Sequence, residues 1–170
     1  MVALRIVPIV CCILLCLLNS VQGAALQTIV GTINRVSDGD SVTALSNNNA
    51  KLRIRLLGID APEVAHDKKP GQPYGNEARD YRGHLIGGKP VRVDAYGRDQ
   101  YHRVLAIIWD DVVNVNLLMI AMDYAEVYRG APCLAYCRVM AQAEAKARQD
   151  RVGMLVQDTR YEKDRRDLTR

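Results

Sequence analysis

The stretch RLLGIDAPE, Arg55 to Glu63, begins as a buried strand and ends as something else. An arginine heads the apolar run; the run then stops at a carboxylate, turns through a proline and at once offers a second carboxylate. A strand that only filled a core would need none of these charges. Proline has no N–H for a ladder, so the strand must end near Pro62, and Glu63 then projects from a fixed turn. Arg55 and Asp60 lie five positions apart, which puts them on opposite faces of a flat strand. A bulge at Gly58 would return both to one side, and that bulge is the expectation.

Upstream, Lys51–Leu56 alternates strictly, with Leu52, Ile54 and Leu56 on one face and Lys51, Arg53 and Arg55 on the other, the pattern of a half-buried strand. Before it, Ser46-Asn-Asn-Asn reads as a hairpin loop, Ser41–Leu45 as a strand and Asp38-Gly-Asp40 as a turn. The β-branched run Gln27–Val36 reads as a first strand. Downstream, Val64–Gln72 carries His66, Lys68, Lys69 and Pro70-Gly71 and is expected to be a polar, mobile loop. From Tyr74 the period changes: Ala78, Tyr81 and Leu85 recur at helical spacing, and Gly87-Gly88 stops the helix. Val91–Ala95 and His102–Trp109 follow as strands, joined by a Gly97-Arg-Asp loop. Asn114 caps a short helix reaching Met122, and the Ala-rich run Leu134–Arg151 forms a last helix ended by Gly153. Five short strands with a helix inserted after the third suggest a small closed barrel carrying helices, a mainly β (α+β) architecture of which the five-stranded oligonucleotide-binding (OB) barrel with three helices is one kind.

A chain of 170 residues with 49% apolar content builds one domain with a real core, which excludes wholesale disorder. Its net charge of +4 inclines it only mildly towards a polyanionic partner. Residues 1–23 stand apart. Arg5 precedes the apolar run Ile6–Leu18, and small Val21 and Gly23 lie just before a cut at Ala24, the order of a secretory signal peptide. That run is shorter than the ~20 residues of a spanning helix, although an uncleaved leader would act as a membrane anchor. The expected organisation is a signal peptide over 1–23, the barrel domain over 24–155 and a charged, disordered tail over 156–170. The protein is expected to be secreted or periplasmic, with membrane anchoring as the alternative. Cys11, Cys12 and Cys16 leave with the leader. Cys133 and Cys137 remain, and read either as a disulfide, which an exported protein would form, or as two reduced thiols on a helix face. Zinc is not expected, because no second ligand pair accompanies the cysteines and His66, His84 and His102 are scattered.

Three segments carry chemistry. Asp38-Gly-Asp40 suits a hard cation, since glycine lets the backbone fold both carboxylates inward, and the same letters also make ordinary hairpin turns. In DQYHRVLA, Asp99 to Ala106, Arg103 heads an apolar strand; alone it would be a solvated strand mouth. Tyr101 serves either packing or base stacking. Taken together, these groups answer the needs of phosphodiester hydrolysis. Asp40 and Asp60 make a hard-oxygen site for Ca²⁺ or Mg²⁺. Arg55 and Arg103 offer planar forks to the oxygens of a phosphate becoming five-coordinate. Glu63 positions or deprotonates water. Arginine, with a pKa above ~12, is a poor acid, so water supplies the leaving group's proton.

The ordered motifs DGDS (38–41), RLLGIDAPE (55–63), QPYGNEA (72–78), DQYHRVLA (99–106) and NVNLLM (114–119), with the late Ala-rich helix, resemble the staphylococcal nuclease, or thermonuclease, family from about Val30 to Gly153. The resemblance implies an OB barrel, one Ca²⁺ ion, and hydrolysis of DNA and RNA with little sequence preference, leaving 3′-phosphate ends. By position, Asp40 and Asp60 match the family's metal carboxylates, and Ala61 lends a backbone carbonyl. Arg55 and Arg103 match its phosphate-binding arginines, and Glu63 matches its general base. The family's Tyr-Gly-Arg is Tyr101-His102-Arg103 here, so a β-carbon and an imidazole replace a glycine beside the catalytic arginine. His102 reads as a tolerated surface side chain rather than a new acid. Lys68 and Lys69 either touch a nucleic-acid backbone or are merely solvated. The expected partners of this monomer are DNA and RNA as substrates. The rival expectation is a non-catalytic binding module on the same barrel. A third, an exported structural protein with a calcium-stabilised turn, accounts for Asp40 and Asp60 but not for the arginines.

Overall fold

The computed structural model describes residues 25–66, 69–130 and 133–154. The expected leader, the expected tail and Lys68 lie outside the described residues. Strands β1 (Gln27–Val36), β2 (Ser41–Ser46) and β3 (Lys51–Leu56) form an antiparallel meander. A two-residue strand β4 (Ile59–Asp60) and helix α1 (Gly75–Ile86) lead into β5 (Pro90–Arg98), which pairs antiparallel with β1. Strand β6 (Val104–Asp110) returns along β5. Parallel pairing of β3 with β6, through Ile54↔Val104, Arg55↔Leu105 and Leu56↔Ala106, closes the ring. Closure needs sharply bent strands, and register shifts between Ile33 and Arg35 and between Ala95 and Gly97 provide the bends. The short β7 (Val113–Asn114), helix α2 (Val115–Ala121), the two-residue β8 (Glu126–Val127) and helix α3 (Cys137–Asp150) complete the described chain. The architecture is thus the five-stranded OB barrel with three helices.

Periodicity explains which residues are inside. In β5, Val91, Val93 and Ala95 are buried while Arg92 between them is exposed, so this strand packs one face only. In β6, by contrast, Ala106, Ile107 and Ile108 are buried consecutively, because the barrel covers one face and α2 packs against the strand. Asn114 caps α2 as expected, its Oδ1 accepting the N–H of Leu117 at 3.0 Å. Among the described residues no helix is long and apolar enough to cross a membrane.

A buried amide fastens α2 to the barrel. Asn116 Oδ1 accepts the N–H of Ile108, and its Nδ2 donates to the carbonyls of Leu57 and Ala106, each at 3.0 Å. Ala106 O keeps a second donor, Leu57 N–H, at 2.8 Å, so removing the amide orphans chiefly Ile108 N–H and Leu57 O. Each buried group left unpaired costs ~1–3 kcal/mol. Asn116→Leu is therefore expected to lower stability by about 3 kcal/mol, read as a lower urea midpoint with an unchanged slope.

The last helix departs from expectation at its start. Leu134–Tyr136 is a 3-10 turn with Leu134 at φ 52°, and the α-helix begins only at Cys137. Cys133 and Cys137 are disulfide-bonded across this turn with Cα atoms 4.8 Å apart. A left-handed residue and a covalent bridge override the helix preference of the intervening residues. At its other end Arg151, at φ 51°, takes the left-handed position before Gly153, at φ 61°, does so.

Candidate active site

Arg55 is the hub. Strand β3 carries it to the barrel rim, and Leu57 N–H donates to Ala106 O at 2.8 Å, extending the pairing with β6 by one residue. The chain then leaves the barrel through a turn at Leu57-Gly58, where the expected bulge would have stood. Gly58 adopts φ 76°, open to glycine but costly for other residues, and its carbonyl accepts the N–H of Tyr128 at 3.0 Å. Strand β4 pairs with β8 through Ile59↔Val127 and Asp60↔Glu126. The turn brings Asp60 back beside Arg55, whose Nη2 stands 2.9 Å from Asp60 Oδ1 while its Nη1 stands 2.6 Å from Asp40 Oδ2.

Asp40 reaches that point on a braced loop. Asp38 Oδ1 accepts the N–H of Asp40 at 3.0 Å and of Ser41 at 2.7 Å. The guanidinium of Arg82, fully buried on α1, donates to the carbonyls of Asp38 and Ser41. Gly39 packs so closely on Ala61 that a β-carbon there would overlap the alanine's own, so the loop and the Asp60-Ala61 segment lie in contact. Burial pushes the Asp40 carboxyl up to about 7, against the opposing pull of Arg55 and with a further push from Asp38. Burial likewise lowers Arg82, to about 10.

Arg103 approaches from the opposite side. The expected strand start at His102 is not realised: β6 begins at Val104, because Asp99 folds the preceding residues into a turn. Asp99 Oδ1 accepts the N–H groups of Tyr101 and Arg103, each at 2.9 Å, and its Oδ2 holds Arg103 Nε at 2.7 Å. Burial opposes the charge on Asp99, but the hydrogen bonds from Arg103 prevail and hold its carboxyl below the usual range. His102 sits at φ 61°, the left-handed conformation a glycine adopts freely. A left-handed residue costs ~1–2 kcal/mol, and the extra freedom of glycine in the unfolded chain offsets part of that. His102→Gly is expected to raise the melting temperature by a degree or two, on the order of 0.5 kcal/mol, in a calorimetric scan.

Ser41 joins the two arginines. Its hydroxyl donates to Asp40 Oδ1 at 2.9 Å and accepts from Arg103 Nη1 at 3.2 Å. Aromatic rings flank both guanidiniums: Tyr128 lies 5.5 Å from Arg55, and exposed Tyr101 lies 5.5 Å from Arg103. Glu63 is held by its backbone, whose N–H donates to Gln72 Oε1 and whose carbonyl accepts Gln72 N–H, each at 2.8 Å. The Val64–Gln72 loop is therefore pinned at its root. Burial of the Glu63 carboxyl, then the charge of Asp38, raises its pKa. Lys69 pairs with His66 in a backbone bridge, and no described contact joins it to the arginines.

The structure thus gathers Asp40, Arg55, Asp60, Ala61, Glu63 and Arg103, with Tyr101 at the edge. The donors fit a hard divalent cation. They are oxygens, and Asp40 Oδ2 is buried without an aligned hydrogen bond although Arg55 stands near it. Asp38, Ser41, Arg82, Asp99 and Tyr128 complete the arrangement. Asp38 was legible as one carboxylate of a cation-type turn but not as the acceptor that braces Asp40 and Ser41, Asp99 only as an aspartate four positions before an arginine, and Arg82 and Tyr128 had no local signal.

Comparison with known proteins agrees with this geometry. The chain is 36% identical over 154 residues to a protein of Phaeosphaeria nodorum named "Probable endonuclease LCL3", covering 84% of this chain and 51% of that protein. It is 41% identical over 111 residues to the protein of that name from Leptosphaeria maculans, covering 61% and 37%. It is 30% identical over 120 residues to an "Uncharacterized endonuclease" of Haemophilus influenzae, covering 71% and 62%. The chain spans about half the length of the first of these, 51%. The family profile described as Staphylococcal nuclease homologue matches residues 53–156, from within β3 to just past α3. That match takes in Arg55, Asp60, Glu63 and Arg103 on a closed OB barrel, and the chain belongs to the staphylococcal nuclease family.

Proposed function

We propose that this chain is a calcium-dependent nuclease that hydrolyses the phosphodiester bonds of DNA and RNA with little sequence preference and leaves 3′-phosphate ends. One observation carries the reading: the unbroken series of contacts Asp60–Arg55–Asp40–Ser41–Arg103, which concentrates two carboxylates and two guanidiniums at one rim of the barrel. The relatives' names, endonuclease in each case, favour the same class.

Asp40 and Asp60, with the carbonyl of Ala61, would hold the cation, which when bound supplies positive charge to a phosphate oxygen. Glu63, its basicity raised by burial and by Asp38, takes a proton from the attacking water. Arg55 and Arg103 donate to the phosphate oxygens as negative charge builds, each fixed beforehand by a carboxylate so that little reorganisation is needed. The 5′ oxygen leaves with a proton from solvent. Tyr101 and Tyr128 offer faces on which neighbouring bases stack. The signal-like residues 1–23 and the Cys133–Cys137 disulfide favour an exported, oxidised protein.

Plasmid digestion tests the reading. Cleavage with Ca²⁺ and intact plasmid with EGTA are expected; intact plasmid under both conditions would support the binding module. Cation affinity should also depend on pH. Asp40 holds a proton below about 7 in the cation-free protein and must lose it to bind. Apparent Ca²⁺ affinity is expected to fall about tenfold per pH unit below that point and to level off above it, with proton release detectable by calorimetry in two buffers.

A further inference from the structure

We propose that Arg53 and Arg98 are positioning residues for Arg103, clamping from either side the turn that presents it. They stand on β3 and β5, the two strands that flank β6, and both residues are exposed. Two peptide units lead into Arg103, and each is held at both ends. In the first, His102 N–H donates to Asp99 O at 3.0 Å while Tyr101 O accepts from Arg53 Nη2 at 2.8 Å. In the second, Arg103 N–H donates to Asp99 Oδ1 at 2.9 Å while His102 O accepts from Arg98 Nη1 at 2.8 Å. Asp99 thus fixes the two N–H groups, and the arginines fix the two carbonyls.

The turn needs both sets of bonds. His102 is left-handed at φ 61°, and a residue other than glycine keeps such a conformation only where its surroundings over-determine it. With the carbonyls released, either peptide would be free to rotate. Rotation would pull its N–H away from Asp99, whose carboxylate also holds Arg103 Nε at 2.7 Å. A guanidinium on a long side chain reaches across from a neighbouring strand and donates to a carbonyl while its charge stays in water. Bonds made in solvent add little to global stability, so the clamp acts on where Arg103 points rather than on whether the barrel folds. Alternation placed Arg53 on the outer face of β3, yet nothing local tied it to Tyr101, 48 positions on.

The kinetic consequence rests on the nuclease reading; the clamp itself does not.

The test compares full-length wild type with Arg53→Met, Arg98→Met and the double variant, which keep long side chains but lose the donors. Each single variant is expected to lose about tenfold in rate and the pair about 10²-fold, the cost of displacing a reacting group by ~1 Å. The loss should fall mainly on kcat at an unchanged melting temperature, because donation from Arg103 strengthens as charge builds on the phosphate. Lys51→Met removes an equal charge from the same face of β3 and should keep kcat within about twofold. Hydrogen exchange at Arg103 Nε–H, followed by NMR without calcium, reads the clamp independently of cleavage. It should be slow in wild type, where Asp99 accepts that proton, and ~10-fold or more faster in the double variant. Unchanged kcat or unchanged exchange in the double variant would overturn the proposal. So would a rise in KM with kcat intact, the mark of a direct phosphate contact, or an equal loss in Lys51→Met. If wild type cleaved no plasmid, the nuclease reading would fail and exchange alone would decide: faster in the double variant upholds the clamp, equal removes it.

Discussion

Glu63→Gln is expected to cleave DNA ~10²–10⁴-fold more slowly than wild type at saturating calcium, the range that a positioned general base contributes. The substitution keeps the shape and removes only the ability to take a proton. Its fold should be untouched, because Glu63 is anchored through backbone bonds to Gln72 and not through its carboxylate. The loss should fall on kcat with KM nearly constant, since Arg55 and Arg103 still bind the phosphate. A variant that cleaved plasmid at the wild-type rate would remove Glu63 from the chemistry.

Arg55→Ala is expected to damage both rate and stability, and pH separates the two. Loss of one preorganised donor lowers the rate ~10²–10³-fold. Arg55→Lys should recover little, since an ammonium cannot span Asp40 and Asp60 as the guanidinium does, at 2.6 and 2.9 Å. For stability, Asp40 loses Arg55, the neighbouring positive charge that favours its ionisation, so its folded pKa rises further above the unfolded value of 3.8. A carboxyl with a raised folded pKa binds its proton more tightly when folded. Its penalty is absent below the unfolded pKa and grows as pH climbs towards the folded one. Wild type and Arg55→Ala should therefore melt at similar temperatures near pH 4. Near pH 8 the variant should be less stable by on the order of 3 kcal/mol, as for a buried pair that has lost one partner. Calcium should restore much of that loss, by neutralising the same carboxylate. Equal melting temperatures at pH 8 without calcium would show that Arg55 does not balance Asp40.

What was legible in the sequence was local. Strict alternation from Lys51 to Leu56 marked β3, the Asn114 cap marked α2, and Pro62 marked the end of an extended run, because each depends on backbone preferences a few residues long. The turn at Gly58 was half legible: the glycine signalled a break, yet whether it made a bulge or a turn depended on Tyr128, seventy positions away, whose N–H donates to the Gly58 carbonyl of the redirected chain. Asp99 shows the same limit, since its bonds to the Tyr101 and Arg103 backbone displaced the expected start of β6 by two residues.

The sequence by itself determined the inventory: the strand faces, the inserted helix, and the carboxylates and arginines that chemistry would select. Only tertiary structure decided that they meet. Pairing of β3 with β6 sets Arg55 opposite Leu105, two residues beyond Arg103, and buried Arg82 and Asn116 lock the loop and α2 around that junction. The physical reason is that hydrogen-bond pairing between distant strands, and the desolvation of charges it enforces, are properties of the closed barrel and of no single segment within it.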